Sequence, residues 1–279
     1  MLQGKPVILC YCIILNCLSE LAAQTSNNPV SARYAGMAGA GIVFSDAWSV
    51  FQNQAGLAAV SDLSLGLHYE NHFFIPENSI KAIAACIPVL KGVIGLNHAQ
   101  FGYSKYYESR SGLAFGKSFG THFSAGIQIN YLMIHQPADF GNMHAVIPEG
   151  GILAQPFEKL FIGFHIFNPV QQHFPQYHEQ AIPSTIKAGI GYSIVENVFL
   201  ILEAGKEIKK KQVIRAGFEY MMTHNLTLCL GASTDEISRY AVGLGYRHKG
   251  LSLDFALSHH RWLGYTPYVT LTYSRSMKR

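Results

Sequence analysis

Charge is scarce in this 279-residue sequence. Asp, Glu, Lys and Arg make up 14% of it, against about 25% in an ordinary soluble domain, so much of the surface must face something other than water. Long apolar runs are scarce too: past the N-terminus none approaches the ~18 uncharged apolar residues a membrane-spanning helix needs, which argues against a helical membrane protein. Cysteine is nearly absent from the bulk of the chain. Of the five Cys, Cys10, Cys12 and Cys17 lie at the extreme N-terminus and only Cys86 and Cys229 follow, which excludes a disulfide scaffold or a CxxC metal site and leaves one Cys86–Cys229 bridge open. An excess of one sign is lacking as well, with 21 Lys plus Arg against 17 Asp plus Glu. The basic residues are scattered, so nucleic acid is not an expected partner, and the Lys209-Lys210-Lys211 run reads as a solvated turn. Low charge without long apolar runs leaves a buried soluble β-domain or a membrane β-barrel.

What is present begins with an export signal. Lys5 supplies a positive start, residues 7–18 (VILCYCIILNCL) an apolar core, and Leu21-Ala22-Ala23 a cleavage site ahead of Gln24. Residues 1–23 therefore read as a signal peptide. The apolar run is too short for a retained anchor, and Asn16 before Cys17 does not suit lipoprotein processing.

From residue 62 onward the hydrophobic period is two. Leu63, Leu65 and Leu67 alternate with Ser64 and Gly66; Ile214, Ala216, Phe218 and Tyr220 with Arg215, Gly217 and Glu219; Leu251, Leu253, Phe255 and Leu257 with Ser252, Asp254 and Ala256. The pattern predicts fourteen strands, near 62–70, 79–88, 91–101, 107–117, 121–133, 143–154, 157–168, 184–193, 197–207, 211–222, 225–234, 237–247, 250–259 and 266–274. Most are as long as the roughly 9–11 residues of a tilted membrane strand, above the ~5–6 of soluble sheets. Tight turns such as Leu90-Lys91-Gly92, Glu196-Asn197 and His248-Lys249-Gly250 alternate with longer links at 71–78, 102–106, 135–142, 170–183 and 259–266. That alternation of rims is the outer-membrane pattern, with both termini on the periplasmic side. Tyr69, Phe73, Phe74, Tyr103, Tyr106, Tyr107, Tyr131, Trp262, Tyr265 and Tyr268 gather at strand ends on the long-loop side, where an interfacial girdle belongs. The expected fold is thus all-β, a transmembrane antiparallel barrel of about fourteen strands over residues 62–279, preceded by a short plug at 24–61 that contains a small helix capped by Ser45-Asp46.

The plug carries a resemblance. Ser31-Ala32-Arg33, then Gly36-Met37-Ala38-Gly39-Ala40-Gly41, then Asp46-Ala47-Trp48-Ser49, then Asn53-Gln54-Ala55-Gly56-Leu57-Ala58 is similar to the opening of the PorV/PorQ and FadL-like outer-membrane proteins, which runs SAR, GMGGA, a DDA-like step and NPAGLA. Gln54 stands where that family has Pro, and the chain continues past Tyr273 where barrels commonly finish on an aromatic. The resemblance implies a fourteen-stranded barrel with an N-terminal plug, and the Ala-Gln cleavage site resembles those of exported Bacteroidota proteins. For function it implies an accessory or scaffold barrel of type IX secretion acting through protein partners, the reading slightly favoured, or a channel admitting small hydrophobic molecules such as long-chain fatty acids.

No cofactor is expected. The thirteen His invite a metal reading, but His173, His178 and Glu179 in one loop and His259-His260 in another read better as loop and rim histidines. No Ser or His stands in a distinctive nucleophilic setting, and the Gly36–Gly41 run does not follow a strand as a dinucleotide site demands, so no enzyme is expected. Arg215, Glu219, Arg247 and Asp254 fall on the small-residue face and are expected to line the lumen. Phe73, Phe74, Ile75 and Pro76 are the expected partner patch. Outer-membrane lipid is the remaining expected partner.

Overall fold

The structure is a computed structural model that describes residues 30–137, 141–174, 182–208, 210–235 and 240–275; the expected signal peptide and the start of the plug at 24–29 lie outside the described residues. These residues form β1 (Leu63–Asn71), β2 (Ser79–Val89), β3 (Gly92–Tyr103), β4 (Tyr106–Phe119), β5 (Phe123–His135), β6 (Asn142–Phe157), β7 (Leu160–Phe167), β8 (Thr185–Val195), β9 (Val198–Glu207), β10 (Val213–Met221), β11 (Leu226–Ser233), β12 (Tyr240–His248), β13 (Leu251–His260) and β14 (Gly264–Arg275). Each strand pairs antiparallel with the next, and β1 pairs with β14 from Leu63–Arg275 to Glu70–Tyr268, so the fourteen strands close into a barrel. Closure removes every free sheet edge, which membrane-embedded strands require because lipid offers no hydrogen bonds.

The period-two pattern resolves in the membrane sense. Leu65, Leu67, Ile127, Ile129, Leu202, Leu244 and Phe255 point outward and are exposed, while Ser64, Gly66, Gln128, Glu203 and Asp254 point inward and are buried or covered. A soluble sandwich would bury the first set. Left in water, so continuous an apolar belt would far exceed the few hundred Å² that soluble monomers expose.

The rims differ as expected, with two corrections. One rim carries the links 90–91, 120–122, 158–159, 196–197, 222–225 and 249–250, and both ends of the barrel lie on it; the other carries 72–78, 136–141, 168–184, 208–212 and 234–239. The links expected to be long at 102–106 and 259–266 are tight. Only residues 104–105 join β3 to β4, because Tyr103 and Tyr106 extend the ladder to the hairpin, and only residues 261–263 join β13 to β14, where His260 pairs with Gly264. A third correction concerns Tyr268, which shares the inward face of β14 with Thr266 and Thr270, stacks on His68 and lies within hydrogen-bond distance of Ser258 (3.1 Å), and so belongs to the lumen rather than to the aromatic girdle. The short-turn rim has exposed aromatics of its own in Phe119, Phe123, Phe157, Tyr192, Tyr246 and Tyr273.

The Cys86–Cys229 bridge left open by the sequence is not formed. Both thiols are free and buried, one donating to the Ala47 carbonyl and the other to Glu219, each at 3.7 Å.

A closed barrel of this kind resists detergent until heated. The unboiled protein from a membrane fraction is expected to migrate differently in gel electrophoresis from the boiled protein; recovery in the soluble fraction without heat-modifiable migration would count against the barrel.

Candidate functional site

The candidate site is the lumen, and its lower part is occupied by residues 30–60. Helix α1 (Ala32–Gly36) lies against β11 to β14, with the Ala32 amide donating to Thr270 Oγ1 at 2.8 Å and Ala32 and Ala35 packed on Ala256 and Tyr268. The chain then turns through Ala38 (φ 54°) and Gly39 (φ 88°), a left-handed pair that favours glycine at the second position. Ile42 passes over Gly163 and Gly189. A short 3-10 turn, Ala47–Phe51, leads back to β1 to β3, and a second, Gln54–Ala59, crosses β3 to β6.

Small inward residues make this seat. A Cβ on Gly36 would come within 2.9 Å of Gly243 Cα, and one on Gly217 within 2.8 Å of the Met37 side chain, while Gly126 and Gly231 lie directly under the backbone at Gln54 and at Met37–Ala38. The alternation of glycine on the inner face is therefore a packing requirement. Gly56 meets the Phe44 carbonyl and Ser49 within the segment itself, and Leu57 and Ala55 are fully buried.

Carboxylates fix the segment. Asp46 accepts from Tyr34 Oη (2.6 Å), from the Trp48 amide (2.9 Å) and from Arg33 Nη1 (3.1 Å), so it caps the first 3-10 turn while tying it to α1. Arg33 in turn grips Glu219 of β10 with two bonds of 2.6 and 2.8 Å, its guanidinium 4.1 Å above the Phe44 ring. Burial, and the Asp46 carboxylate beside it, hold the Tyr34 phenol protonated well above its usual range. The Gly41 and Ile42 amides both donate to Glu203 of β9, at 3.0 and 3.1 Å. Asn53 caps the second 3-10 turn by accepting from the Ala55 amide (3.2 Å) and donates to the carbonyls of Ile42 (2.9 Å) and Ile152 (3.1 Å). Gln54 occupies the first position of that turn, where proline is equally suited, which accounts for the Pro-to-Gln departure. Ser31 is buried at the N-cap of α1 without a side-chain capping bond.

Beyond the plug, toward the long-loop rim, a polar band runs along the inner wall from β4 to β10. Arg110 pairs with Glu149 and donates to Asn130 (2.9 Å); Gln128, Asn130 and His165 also bond Glu149, at 2.6, 2.9 and 3.2 Å. Lys187 reaches Gln52 of the plug at 3.4 Å, and Arg215 pairs with Glu203 (3.5 Å) and Asp235 (3.3 Å). On β1, Glu70 bonds His68 (3.1 Å) and His72 (2.7 Å). Above the band, over β5 to β7, the inner face turns apolar. Leu132, Ile134, Met143, Ala145, Ile147 and Phe167 form one buried cluster with Phe174 and Ile182 of the β7–β8 link, which Asn168 folds inward by bonding the Ile182 carbonyl at 2.9 Å.

All four residues expected in the lumen point into it. Arg215 and Glu219 are bound as described, Asp254 is buried beside Ser252 (3.2 Å), and Arg247 lies on a roughly 510 Å³ cavity at the short-turn rim lined also by Arg33, Asp46, Trp48 and His224. Of the expected patch, Phe74, Ile75 and Pro76 are exposed, whereas Phe73 packs edge-on against His72 and His260. His173 lies in the β7–β8 link, and His178 and Glu179 lie outside the described residues. Among the described residues no group of three or more His, Cys, Asp or Glu side chains converges on a metal-sized site. The sequence reading missed Arg110, Glu149, Lys187 and Glu203. The signal was present, since each takes an inward position in the alternation, but Ser109, Ser111, Pro148 and Gly150 interrupt the greasy outer face beside the first two.

A fourteen-stranded barrel with its N-terminal segment folded into the lumen is the architecture of FadL-type outer-membrane barrels. The chain is similar in structure to the Ralstonia pickettii toluene transporter TbuX (TM-score 0.69, 12% identity, 91% of this chain and 100% of that one), to the Pseudomonas putida toluene transporter TodX (0.67, 8%, 92% and 100%) and to a Pseudomonas aeruginosa FadL homologue (0.59, 12%, 89% and 98%). At such identities the likeness is one of fold. No protein-family model matches the sequence, and no curated protein is similar to it in sequence. Nothing in the comparisons supports the PorV/PorQ side of the resemblance, a role in type IX secretion or an origin in Bacteroidota.

The Arg33–Glu219 pair is the plug's main charged tether. Replacing Arg33 with Ala removes the guanidinium from both Glu219 and Asp46 and is expected to cost about 3–5 kcal/mol, read as a lower unfolding midpoint in detergent; the double variant R33M/E219Q is expected to recover the Glu219 share, Asp46 keeping its bonds from Tyr34 and the Trp48 amide.

Proposed function

We propose that this protein is a non-enzymatic outer-membrane channel for small hydrophobic molecules, oriented with its long-loop rim outward and both barrel ends in the periplasm. The observation that carries the reading is the apolar inner face of β5 to β7 above Asn130 and Glu149, which Phe174 and Ile182 of the β7–β8 link cover. Inward positions there, which the alternation otherwise gives to small or polar residues, become Leu132, Ile134, Met143, Ile147 and Phe167. A water-filled pore has no use for such a surface, whereas a hydrophobic solute that displaced Phe174 and Ile182 from it would gain about 25 cal/mol for each Å² of apolar surface it buried. The toluene transporters and the monoaromatic hydrocarbon channel CymD share the fold (CymD: TM-score 0.65, 12% identity, 92% of this chain and 100% of that one), which supports this reading over the one the sequence slightly favoured. That first reading, a scaffold for secretion or assembly partners, rests on the motif. Ala32, Arg33, Gly36, Gly39, Gly41, Asp46, Asn53, Ala55, Gly56 and Leu57 of that motif take part in the seating or internal packing of the plug, with Ser31 buried beside them, which supports a structural reading of the motif.

Cells exporting the protein to the outer membrane are expected to accumulate radiolabelled toluene several-fold faster than cells carrying an empty vector, with Met143→Arg abolishing the gain while heat-modifiable migration is kept. Uptake equal to the vector control, together with a secretion protein co-purifying in mild detergent, would return the scaffold reading.

A further inference from the structure

We infer that the outer wall over β2 to β5 holds a phosphate-bearing lipid, its headgroup on Lys81 and His98 and an acyl chain in the groove below. Three rungs of the sheet, read across outward positions, carry the argument. The uppermost of the three, toward the long-loop rim, runs Lys81, Gln100, Ser109, Met133, the next Ile83, His98, Ser111, Tyr131, and the third Ala85, Leu96, Leu113, Ile129. Over β2 to β4 polarity therefore falls from rung to rung toward the middle of the wall, in the order headgroup, ester region, chain.

The third rung is indented. Alanine at 85 lies beside leucine and isoleucine, and an apolar groove of about 600 Å³ opens there, bounded by Leu65, Ile83, Leu96, Leu113 and Ile129 with His98 and Ser111 at its upper end. Outward polar side chains are costly against hydrocarbon unless they have partners. His98 is only half provided for: its Nδ1 lies 2.8 Å from Ser111 Oγ, which leaves Nε2 directed away from that bond. Lys81 is exposed and sits diagonally across the β2–β3 ladder from His98, about 7–8 Å by sheet geometry, a spacing that one phosphate bridges.

Charge selects the occupant. At outward positions β1 to β6 carry Lys81, His98, Lys117, His135 and His144 and no Asp or Glu; the carboxylates of these strands, Glu70, Glu108 and Glu149, are all buried on the inner face. A neutral hydrocarbon would find the groove but has no use for the two upper rungs, and a cationic headgroup would meet its own sign. The inference does not depend on what passes through the lumen.

The test is native mass spectrometry of the whole chain in mild detergent, titrated with hexa-acyl lipid A bearing its two phosphates and with the same lipid after their removal. The phosphorylated form is expected to bind roughly tenfold tighter, the gain of one or two charge-assisted hydrogen bonds. The double variant K81Q/H98L is expected to lose that preference, Ala85→Trp to weaken both lipids by filling the groove, and Ala188→Trp, outward on β8, to change neither. Equal binding of the two lipids by the unaltered chain overturns the inference without recourse to any variant, as does a preference that survives in a folded K81Q/H98L.

Discussion

A barrel of fourteen strands encloses more space than its own inward side chains fill. The N-terminal segment takes up the difference, and it does so at backbone contact with the wall rather than through interleaved side chains. Where Gln54, Met37 and Gly36 press on β5, β11 and β12, the wall offers Gly126, Gly231 and Gly243. A side chain at Gly126 or Gly231 displaces the segment or the strand, and one at Gly243 presses on Gly36 at 3.2 Å. The inner face is thus committed to small residues before any question of transport arises, and the polar band and the apolar cluster can exist only on the part of each strand that the segment leaves free.

Close approach brings buried backbone amides that need acceptors, and the charged residues supply them. Glu203 satisfies two consecutive amides, at Gly41 and Ile42, while also facing Arg215; Asp46 serves an amide, a phenol and a guanidinium. Each carboxylate is bonded on more than one side, the condition under which burying a charge becomes affordable. Arg33 therefore has two tasks, cancelling Glu219 on the wall and Asp46 on its own segment.

The strand count, the outward face of nearly every strand and the rim that carries both ends were legible in the sequence because they depend on a period of two and on turn residues, both local. Tyr268 was misplaced because an aromatic near a strand end looks the same whether it faces lipid or lumen; only its parity with Thr266 and Thr270 separates the two. The links at 104–105 and 261–263 were read as long because Ser, Lys, Trp and Gly suggest loops, while the cross-strand pairing that shortens them is not a local property. The plug's residues were visible as a motif, but the partners that explain them, such as Glu203 for Gly41 and Glu219 for Arg33, stand some 160 to 190 positions away. The apolar cluster was invisible for a related reason: it assembles from β5, β6, β7 and a distant link, and on each strand alone it is a short lapse in alternation.

The seam between β1 and β14 is stitched from inside. Trp48 donates to Thr272 at 2.9 Å and lies on Gly66, the Ala32 amide donates to Thr270, and Thr270 is also within 2.7 Å of His68 across the seam. The first and last strands of the wall thus meet on a segment that precedes both in the chain. Closing the wall and seating the plug are thus one set of contacts rather than two.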